Sequence, residues 1–364
     1  MRRDRAGGGR RTMKLSLLHS LLPNWGRHSG YSPLLYYLNN DKFRQTIYTT
    51  PHGNNLFPIG YWRLKRFALK RVRRNHRPVY CLNNLVTEWR LLADQVRERA
   101  DIIHYLDAER NMQYSPRFLK IIRGRGKKPK LIATFHHAPE VQGDYINDGV
   151  IKLVDHAIVF GPSLADYFRR FLPADRITAI PLGIDTDFFA PAEKKPGGKT
   201  VCLAVGNFLR DHDSFLQVAE KFRDDRSLEF HLLTGKRPAR LPRNVRHHAR
   251  LSDEQLLALY RRADIFMLPL QNASANGALL EAMACGLPVI TTELPAVREI
   301  VAGTGTTLVK RGDVAAYAEA LDHLRKNGRL RRSLGQRARQ KALTYAWPAM
   351  ARLHEKLYLR VEQQ

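Results

Sequence analysis

The stretch NASANGALLEAMACGLPVITT, from Asn272 to Thr292, begins with small polar residues, continues as a helical pattern and ends as an apolar strand. The run DIFMLPL, from Asp264 to Leu270, precedes it and has the length and composition of another strand. Strand, loop, helix and strand in this order predict a parallel βαβ unit. Asn276 or Gly277 suits the cap of the helix, and Gly286 suits the left-handed residue after its end. The helix therefore begins beyond the carboxyl end of a strand, where doubly wound sheets bind ligands.

Glu281 stands one turn into this helix, close to its N-terminal mouth. The free N–H groups at a helix N-terminus attract phosphate. Because helical side chains lean toward the N-terminus, the Glu281 carboxylate can reach a ligand bound there. A carboxylate repels phosphate, so we expect it to accept hydrogen bonds from neutral hydroxyls beside the phosphate, as a ribose offers. The alternative is an ordinary first-turn glutamate that complements the helix dipole.

The length of 364 residues is enough for two domains with separate hydrophobic cores. Cys81, Cys202 and Cys285 are far apart and lie in or beside apolar runs, which predicts neither a disulfide framework nor a zinc site. The apolar part of the segment from Met13 is too brief for a signal peptide, and no run approaches the roughly 20 apolar residues needed to span a bilayer. We therefore expect a globular enzyme in a reducing cytoplasm.

The net charge of +27 is concentrated in the first half of the chain. The segments Tyr61 to Arg77 and Arg117 to Lys130 are rich in Lys and Arg and contain no acidic residue. Aromatic and aliphatic residues are interleaved with these charges, which favours binding to an anionic membrane surface. The residues predicted to face the membrane are Trp62, Lys65, Arg66, Phe67, Lys70 and Arg71. Nucleic-acid binding and a solvated basic face are the alternatives, and residues 1–12 are expected to form a disordered basic extension.

Short apolar runs alternate with helical patterns along the chain, which predicts an α/β protein with two Rossmann-like domains that face each other across a cleft. The expected divisions are an N-terminal domain (13–182), a linker rich in Pro, Gly and Lys (183–199), a C-terminal domain (200–345) and a final helix (346–364) that packs back on the N-terminal domain. The strands predicted in the first half are Lys14–Ser20, Gln45–Thr50, Pro78–Leu82, Asp101–Leu106, Lys130–His136, His156–Phe160 and Arg176–Leu182. Those predicted in the second half are Thr200–Gly206, Leu228–Gly235, Asp264–Leu270 and Leu287–Thr292.

Four fragments carry a family resemblance. They are VDHAIVFGPSLADYF from Val154, IPLGIDTDFF from Ile180, LSDEQLLALYRRADIFMLPL from Leu251 and LLEAMACGLPVITTELPAVREIV from Leu279. Together they resemble glycosyltransferase family 4, retaining enzymes of the GT-B fold that transfer a sugar from a nucleotide sugar without a metal at the reacting centre. The resemblance covers Met13 to Tyr358. It implies that Glu281 holds the donor ribose, that the N-terminal domain binds the acceptor and that no metal cofactor is needed.

The resemblance also implies the residues of the donor site. The loop after the first strand supplies Gly26 and Gly30, where glycine lets the backbone approach a diphosphate. The other donor-binding candidates are Gly206, Asn207, Arg210, His212, Asn276, Gly277, Ala278, Leu279, Leu280 and Glu281. Arg210 is the candidate phosphate clamp because a guanidinium grips two oxygens at once. Two positions depart from the family pattern: Ala273 replaces a glutamate that contacts the donor sugar, and His212 replaces a lysine.

The catalytic candidates are His136, Arg210 and Glu281. His136 follows a predicted strand at the position of the family's cleft histidine, and the neighbouring His137 is the alternative. Breaking the bond to the anomeric carbon develops negative charge on the diphosphate, so the main task of the enzyme is to stabilise that charge. The resemblance implies that the acceptor hydroxyl attacks on the departing side, and no protein nucleophile is assigned.

These patterns predict a retaining, metal-independent glycosyltransferase on the cytoplasmic face of a membrane. Its expected partners are a nucleotide sugar and a saccharide or lipid-linked acceptor, as in glycolipid, lipopolysaccharide or exopolysaccharide synthesis. A soluble small-molecule acceptor is one alternative, and a basic nucleic-acid-binding protein is the alternative from another class. No GxGxxG motif supports a nicotinamide oxidoreductase. Asp185 and Asp187 form a DxD pattern, but its place in a family motif argues against a metal site.

Overall fold

The computed structural model describes residues 12–22, 26–53, 55–56, 66–70, 72, 78–121, 127–192 and 198–364. Most of the predicted basic extension (residues 1–11) and the membrane-facing candidates Trp62, Lys65 and Arg71 lie outside the described residues. The two parallel sheets with their helices form two Rossmann-like domains, as the sequence predicts. Among the helices in the described part of the chain, none is both long and apolar enough to cross a membrane.

The N-terminal domain is built on one parallel sheet. Its strands are β1 (Met13–Leu21), β2 (Phe43–Pro51), β3 (Ile102–Tyr105), β4 (Lys130–Thr134), β5 (His156–Val159) and β6 (Ile177–Ala179). They lie in the order β2-β1-β3-β4-β5-β6, and β3, β4 and β5 are buried along most of their length because helices cover both faces. The helices of this domain whose two ends are both described are α1 (Leu34–Tyr37), α2 (Leu82–Arg97), α3 (Ala108–Asn111), α4 (Ser115–Ile121), α5 (Pro139–Tyr145), α6 (Asp148–Ile151) and α7 (Pro162–Phe168).

The strand predicted at Pro78–Leu82 is wrong, because this run leads into a helix. Leu82 is the first residue of α2, and the Asn84 side chain accepts a hydrogen bond from the backbone N–H of Cys81 (2.9 Å). Tyr80 and Leu82 are buried in a small apolar cluster at the start of this helix. Short apolar runs are ambiguous between strand and buried helix start, and here the cap at Cys81 decides in favour of the helix.

The C-terminal domain has a second parallel sheet. Its strands are β7 (Thr200–Val205), β8 (Leu228–Leu233), β9 (Val245–His248), β10 (Ile265–Leu268), β11 (Val289–Thr292) and β12 (Thr307–Val309), and its helices are α8 (His212–Lys221), α9 (Asp253–Arg262), α10 (Gly277–Ala284), α11 (Pro295–Ile300), α12 (Val314–Lys326) and α13 (Gly328–Leu343). The order is β12-β11-β10-β7-β8-β9. The strands β9 and β12, which form the two edges of this sheet, were not predicted from the sequence. Edge strands are short and less buried, so they lack the apolar run that marks a central strand.

The last helix, α14 (Trp347–Gln363), returns to the N-terminal domain. Its residues in the N-terminal core are Trp347, Met350, Ala351, Leu357, Tyr358 and Val361. Two buried hydrogen bonds add to this packing. The Tyr31 hydroxyl lies 2.6 Å from Nε2 of His354, and Nδ1 of His104 lies 2.8 Å from the Tyr358 hydroxyl. The packing of α14 on the N-terminal domain therefore depends in part on the neutral imidazoles of His104 and His354.

We expect the free energy of unfolding to fall as the pH drops from 7 to 5. Burial lowers the pKa of His354 from 6.5 to about 4, so its imidazole stays neutral in the folded protein. Over this pH range the unfolded chain binds a proton at His354 that the folded protein does not bind, and the difference costs about 2 kcal/mol of stability. Denaturant unfolding at pH 7 and at pH 5 measures this change in the free energy of unfolding. His354→Gln should lose this part of the pH dependence, whereas His323→Gln, at an exposed position, should keep it. An unchanged dependence in His354→Gln contradicts the explanation.

Candidate active site

Asn276 caps the N-terminus of α10, which we call the mouth of this helix. The Asn276 side chain is almost fully buried. Its Oδ1 accepts hydrogen bonds from the backbone N–H of Leu279 (3.2 Å) and from Nη2 of Arg210 (3.0 Å). Among the described residues, its buried Nδ2 has no hydrogen-bond partner. The predicted donor-binding residues Gly277, Ala278, Leu279 and Leu280 form the first turn of this helix. The mouth thus combines a cation with N–H donors, which suits a phosphate ligand.

Glu281 is 6% exposed and belongs to the same helix, close to its mouth. The Tyr260 hydroxyl donates a hydrogen bond to its Oε2 (2.7 Å), and the Ser29 hydroxyl donates to its Oε1 (2.9 Å). Burial raises the pKa of this carboxyl, while the two hydrogen bonds and the charge of Arg210 oppose the rise. Glu281 therefore accepts a hydrogen bond on each carboxylate oxygen from a neutral hydroxyl of the protein.

Arg210 reaches the mouth because the preceding loop takes an unusual path. Gly206 has a φ of +117°, and a Cβ at this position would lie 2.8 Å from Nε of Arg210. Glycine is needed there so that the guanidinium can fold back across the backbone. The guanidinium donates to the carbonyl of Phe208 (3.0 Å) as well as to Asn276. Burial lowers its pKa to about 10, which leaves it protonated at neutral pH.

His212 and Asn207 contact the loop itself. Nε2 of His212 donates to the carbonyl of Gly206 (2.9 Å), and burial lowers the pKa of this imidazole. Oδ1 of Asn207 accepts hydrogen bonds from the Thr234 hydroxyl (2.7 Å) and the backbone N–H of Gly235 (2.6 Å). These bonds tie the loop after β7 to the loop after β8. Both predicted donor-binding residues thus shape the loop that presents Arg210.

His136 lies on the other side of the cleft, two residues after β4. Its Nε2 donates to the carbonyl of Leu106 (2.6 Å), and because a carbonyl oxygen only accepts, Nε2 carries the proton. When the other ring nitrogen, Nδ1, carries no proton, its lone pair can accept a hydrogen bond. Oε1 of Glu109 accepts hydrogen bonds from the backbone N–H groups of His136 (2.6 Å) and His137 (3.0 Å). Ser274, which belongs to the opposite domain, donates a hydrogen bond from its hydroxyl to the His136 carbonyl.

His137, the alternative catalytic histidine, takes part in aromatic packing. Its ring stacks on Tyr145 with centroids 3.8 Å apart and meets Phe208 of the second domain edge-on at 5.5 Å. Ala273 is buried, and beside it the Asn272 side chain donates to Glu140 across the cleft (2.8 Å). The two domains therefore touch on the side of the cleft where both histidines lie.

The loop that carries Gly26 and Gly30 lies against the start of α9. The backbone N–H of Arg27 donates to Oδ2 of Asp253 (2.8 Å). A Cβ at Gly26 would overlap with this carboxylate in its present position. Gly30 has a φ of +82°, a conformation that favours glycine. Both glycines thus serve the contact between this loop and the second domain.

The DxD segment also holds this loop. Oδ1 of Asp185 accepts hydrogen bonds from the backbone N–H groups of Asp187 (3.2 Å) and Phe188 (3.0 Å). Oδ2 of Asp185 lies 2.7 Å from Nδ1 of His28, whose ring stacks on Phe188 at 3.8 Å. Both oxygens of Asp185 are therefore engaged within the protein. In the described part of the chain, no group of three or more His, Cys, Asp or Glu side chains is arranged to hold a metal ion.

Ser29 and Tyr260 are the functional candidates that sequence reasoning missed. Tyr260 lies within the fragment from Leu251, one of the four that carry the family resemblance, so the resemblance could have indicated this residue. Ser29 lies between the two loop glycines, 252 residues before Glu281, and no local pattern connects these positions. Their hydrogen bonds to Glu281 depend on how the chain folds.

Three of the predicted membrane-facing residues belong to the described part of the chain. Arg66, Phe67 and Lys70 are all exposed, and the Phe67 side chain is 68% exposed. Ala68, between them, is buried in the apolar cluster at the start of α2. The segment is thus anchored on the N-terminal domain and presents its basic and aromatic side chains to the outside.

Comparison with known proteins assigns a family to part of the second half of the chain. Residues 199–327 match the family model for glycosyl transferases group 1. The chain therefore carries a glycosyl transferases group 1 domain, and the resemblance to glycosyltransferase family 4 is confirmed. This domain contains Gly206, Arg210, Asn276 and Glu281.

Relatives and solved structures agree with this assignment. The chain is 28% identical over 222 residues to the MMP alpha-(1->4)-mannosyltransferase of Mycolicibacterium hassiacum, covering 56% of this chain and 54% of that protein. It is also 28% identical over 247 residues to the phosphatidyl-myo-inositol mannosyltransferase of Mycobacterium leprae, covering 61% of this chain and 64% of that protein. Sucrose-phosphate synthase from Thermosynechococcus elongatus superposes with a TM-score of 0.72 at 16% identity, covering 96% of this chain and 99% of that one. The fold is therefore GT-B, as predicted.

Proposed function

We propose that the chain is a glycosyltransferase that binds a nucleotide sugar in the cleft between its two domains. The observation that carries this proposal is the placement of Arg210, Asn276 and Glu281 together at the mouth of α10. A nucleoside diphosphate needs a cation and N–H donors for its phosphates and an acceptor for its ribose hydroxyls. The mouth offers each of these groups, and the relatives described above are named as mannosyltransferases.

The chemistry follows from the charges. Sugar transfer breaks the bond between the anomeric carbon and the diphosphate oxygen, which leaves with the electron pair. Arg210 and the N-terminus of α10 stabilise this developing negative charge. In the retaining reaction that the family resemblance implies, the acceptor hydroxyl attacks on the face from which the diphosphate departs and gives its proton to a phosphate oxygen. The Nδ1 lone pair of His136 accepts a hydrogen bond from a hydroxyl of the transferred sugar.

We expect the protein to release nucleoside diphosphate from a nucleotide sugar and to do so equally well in EDTA. The panel consists of UDP-, GDP- and ADP-linked sugars, with a CMP-linked sugar, which can release only CMP, for comparison and a membrane lipid extract as the source of acceptor. The chelator should have little effect, because Arg210 and the helix N-terminus supply the positive charge that a metal would otherwise supply. Complete loss in EDTA, restored by Mn²⁺, would contradict metal independence and favour Asp185 and Asp187. Oligonucleotide retention at physiological ionic strength without nucleotide binding would instead support the nucleic-acid alternative.

We propose further that the acceptor is lipid-linked and is reached at the cytoplasmic face of a membrane. The exposed residues Arg66, Phe67 and Lys70 lie on the N-terminal domain, to which the family resemblance assigns the acceptor. On the same domain, α4 exposes Arg117, Phe118, Lys120 and Ile121. Basic side chains beside exposed aromatic and aliphatic ones suit an anionic lipid surface. One relative is named as a phosphatidyl-myo-inositol mannosyltransferase, which agrees with such an acceptor.

We expect the protein to co-sediment with anionic vesicles, and not with neutral ones, and to dissociate as salt is raised. Replacing Lys65, Arg66, Lys70 and Arg71 with Gln should weaken binding by up to about a thousandfold, since each basic residue near an anionic surface contributes about 1 kcal/mol and every 1.4 kcal/mol is a tenfold change. The matched control replaces four exposed basic residues of the C-terminal domain with Gln and should bind as the native protein does. These four are Lys221, Arg329, Arg332 and Arg337. Negligible sedimentation of the native protein with both kinds of vesicle would favour a soluble acceptor.

A further inference from the structure

The loop Gly26–Gly30 of the N-terminal domain is fastened to the other side of the cleft by three adjacent residues. The Arg27 backbone N–H donates to Asp253, His28 lies 2.7 Å from Asp185, and the Ser29 hydroxyl donates to Glu281 (2.9 Å). The first and third of these contacts reach the C-terminal domain, and the second reaches the segment between the domains. The loop is therefore held against the same helix mouth that presents the donor-binding groups.

The contact of Ser29 with Glu281 differs from the other two because it engages the carboxylate to which the ribose is assigned. Oε2 of Glu281 is satisfied from within its own domain by Tyr260. Oε1 receives its hydrogen bond from the opposite domain, so it is the oxygen turned toward the cleft. Because Glu281 is almost fully buried and the Ser29 hydroxyl already bonds to Oε1, a ligand hydroxyl that enters the cleft and bonds to Oε1 competes with Ser29 for this oxygen.

A buried carboxylate is costly when an oxygen lacks a donor. Glu281 is 6% exposed, so water has little access to it. The hydroxyl of Ser29 satisfies Oε1 in the absence of a nucleotide, and it is chemically the same kind of neutral donor as a ribose hydroxyl. The donor-free cleft therefore contains an internal stand-in for the ribose.

We propose that Ser29 is a positioning residue that holds Glu281 in the donor-free enzyme and is exchanged for a ribose hydroxyl when the nucleotide sugar binds. This inference rests on the proposed function, because it takes Glu281 as the ribose-binding group. The exchange breaks the bond between Ser29 and the C-terminal domain, so the loop Gly26–Gly30 is released in part from the second domain when the ribose position is filled. Nucleotide affinity is then set by a competition between two hydroxyls for one carboxylate oxygen.

Titration calorimetry with UDP, GDP and ADP tests the exchange on the full-length native chain and its variants. Ser29→Ala removes the competitor and should bind the preferred nucleotide about tenfold more tightly, since a hydrogen bond to a charged group contributes on this scale. Ser29→Thr keeps a hydroxyl and should bind as the native protein does. Ser163→Ala is the matched control in the same domain, because the Ser163 hydroxyl is buried and has no hydrogen-bond partner among the described residues. Its affinity should be unchanged.

Asp253→Ala provides a second route to the same result. It removes the acceptor of the Arg27 N–H without touching Glu281, so the loop is held less firmly and the nucleotide should again bind more tightly. Weaker or unchanged binding in Ser29→Ala, with Glu281→Gln impaired, overturns the exchange and leaves the proposed function intact. Binding of none of UDP, GDP and ADP by the native protein overturns the proposed function and the exchange together.

Discussion

Glu281→Gln is expected to weaken nucleotide binding and slow sugar transfer by about a hundredfold each, while the protein stays folded. The carboxylate accepts hydrogen bonds on both oxygens, one from Tyr260 and one from Ser29 or a ribose hydroxyl. Glutamine keeps only one acceptor oxygen, and the hydroxyl that faces its NH₂ group has to turn and accept a hydrogen bond where it donated one to the carboxylate. The substitution therefore loses the charge and both charge-assisted hydrogen bonds, with almost no change in size.

Calorimetry with the preferred nucleoside diphosphate and initial rates of product formation measure these losses. Glu319→Gln is the matched control, because Glu319 is exposed on α12 of the same domain, and both quantities should remain at the native level. Circular dichroism of the two variants should be identical. Native affinity and turnover in Glu281→Gln would remove Glu281 from the site.

The βαβ unit around α10 could be predicted because its signals are local. The buried strand, the Asn276 cap, the helix and Gly286 all fall within about thirty consecutive residues, where hydrophobic period and cap chemistry determine structure. Asn276 does cap the helix, and Gly286 has the left-handed φ of 72° that such a helix end favours. The same kind of local information predicted the last helix at 346–364, within one residue of its observed bounds.

Other features depend on parts of the chain that are far apart. The bond between Ser29 and Glu281 exists only because the two domains dock, and no periodicity within either segment records the docking. The edge strands β9 and β12 were not predicted for a different reason. Each pairs with a neighbour on one side only and is less buried, so its sequence lacks the apolar pattern that identifies a central strand. The run at Pro78–Leu82 carried that pattern and still became the start of a helix. Local hydrophobicity thus identified the sheet centres and helix mouths, and tertiary contacts determined the rest.

Arg210 illustrates how a local pattern and a long-range contact combine. The sequence suggested it as a phosphate clamp from its place after β7, while its direction depends on glycine at position 206 and on the side chain of Asn276. Its guanidinium holds the carbonyl of Phe208 and the oxygen of Asn276, so it is fixed before any ligand arrives. A preorganised cation stabilises developing negative charge without having to reorient during the reaction.

Arg210→Ala is therefore expected to lower kcat by about a hundredfold to a thousandfold, the range for losing one such donor to a developing anion. Nucleotide affinity should fall by less, because the diphosphate gains charge as the sugar departs and the cation acts most strongly at that point. Arg210→Lys should keep part of the activity, since an ammonium group preserves the charge but cannot grip two oxygens at once. Arg226→Ala, at an exposed position of the same domain, serves as the control and should keep native rates. If Arg210→Ala loses affinity with kcat unchanged, the guanidinium binds the ground state only, and the leaving diphosphate must be stabilised by the helix mouth and the glycine loop.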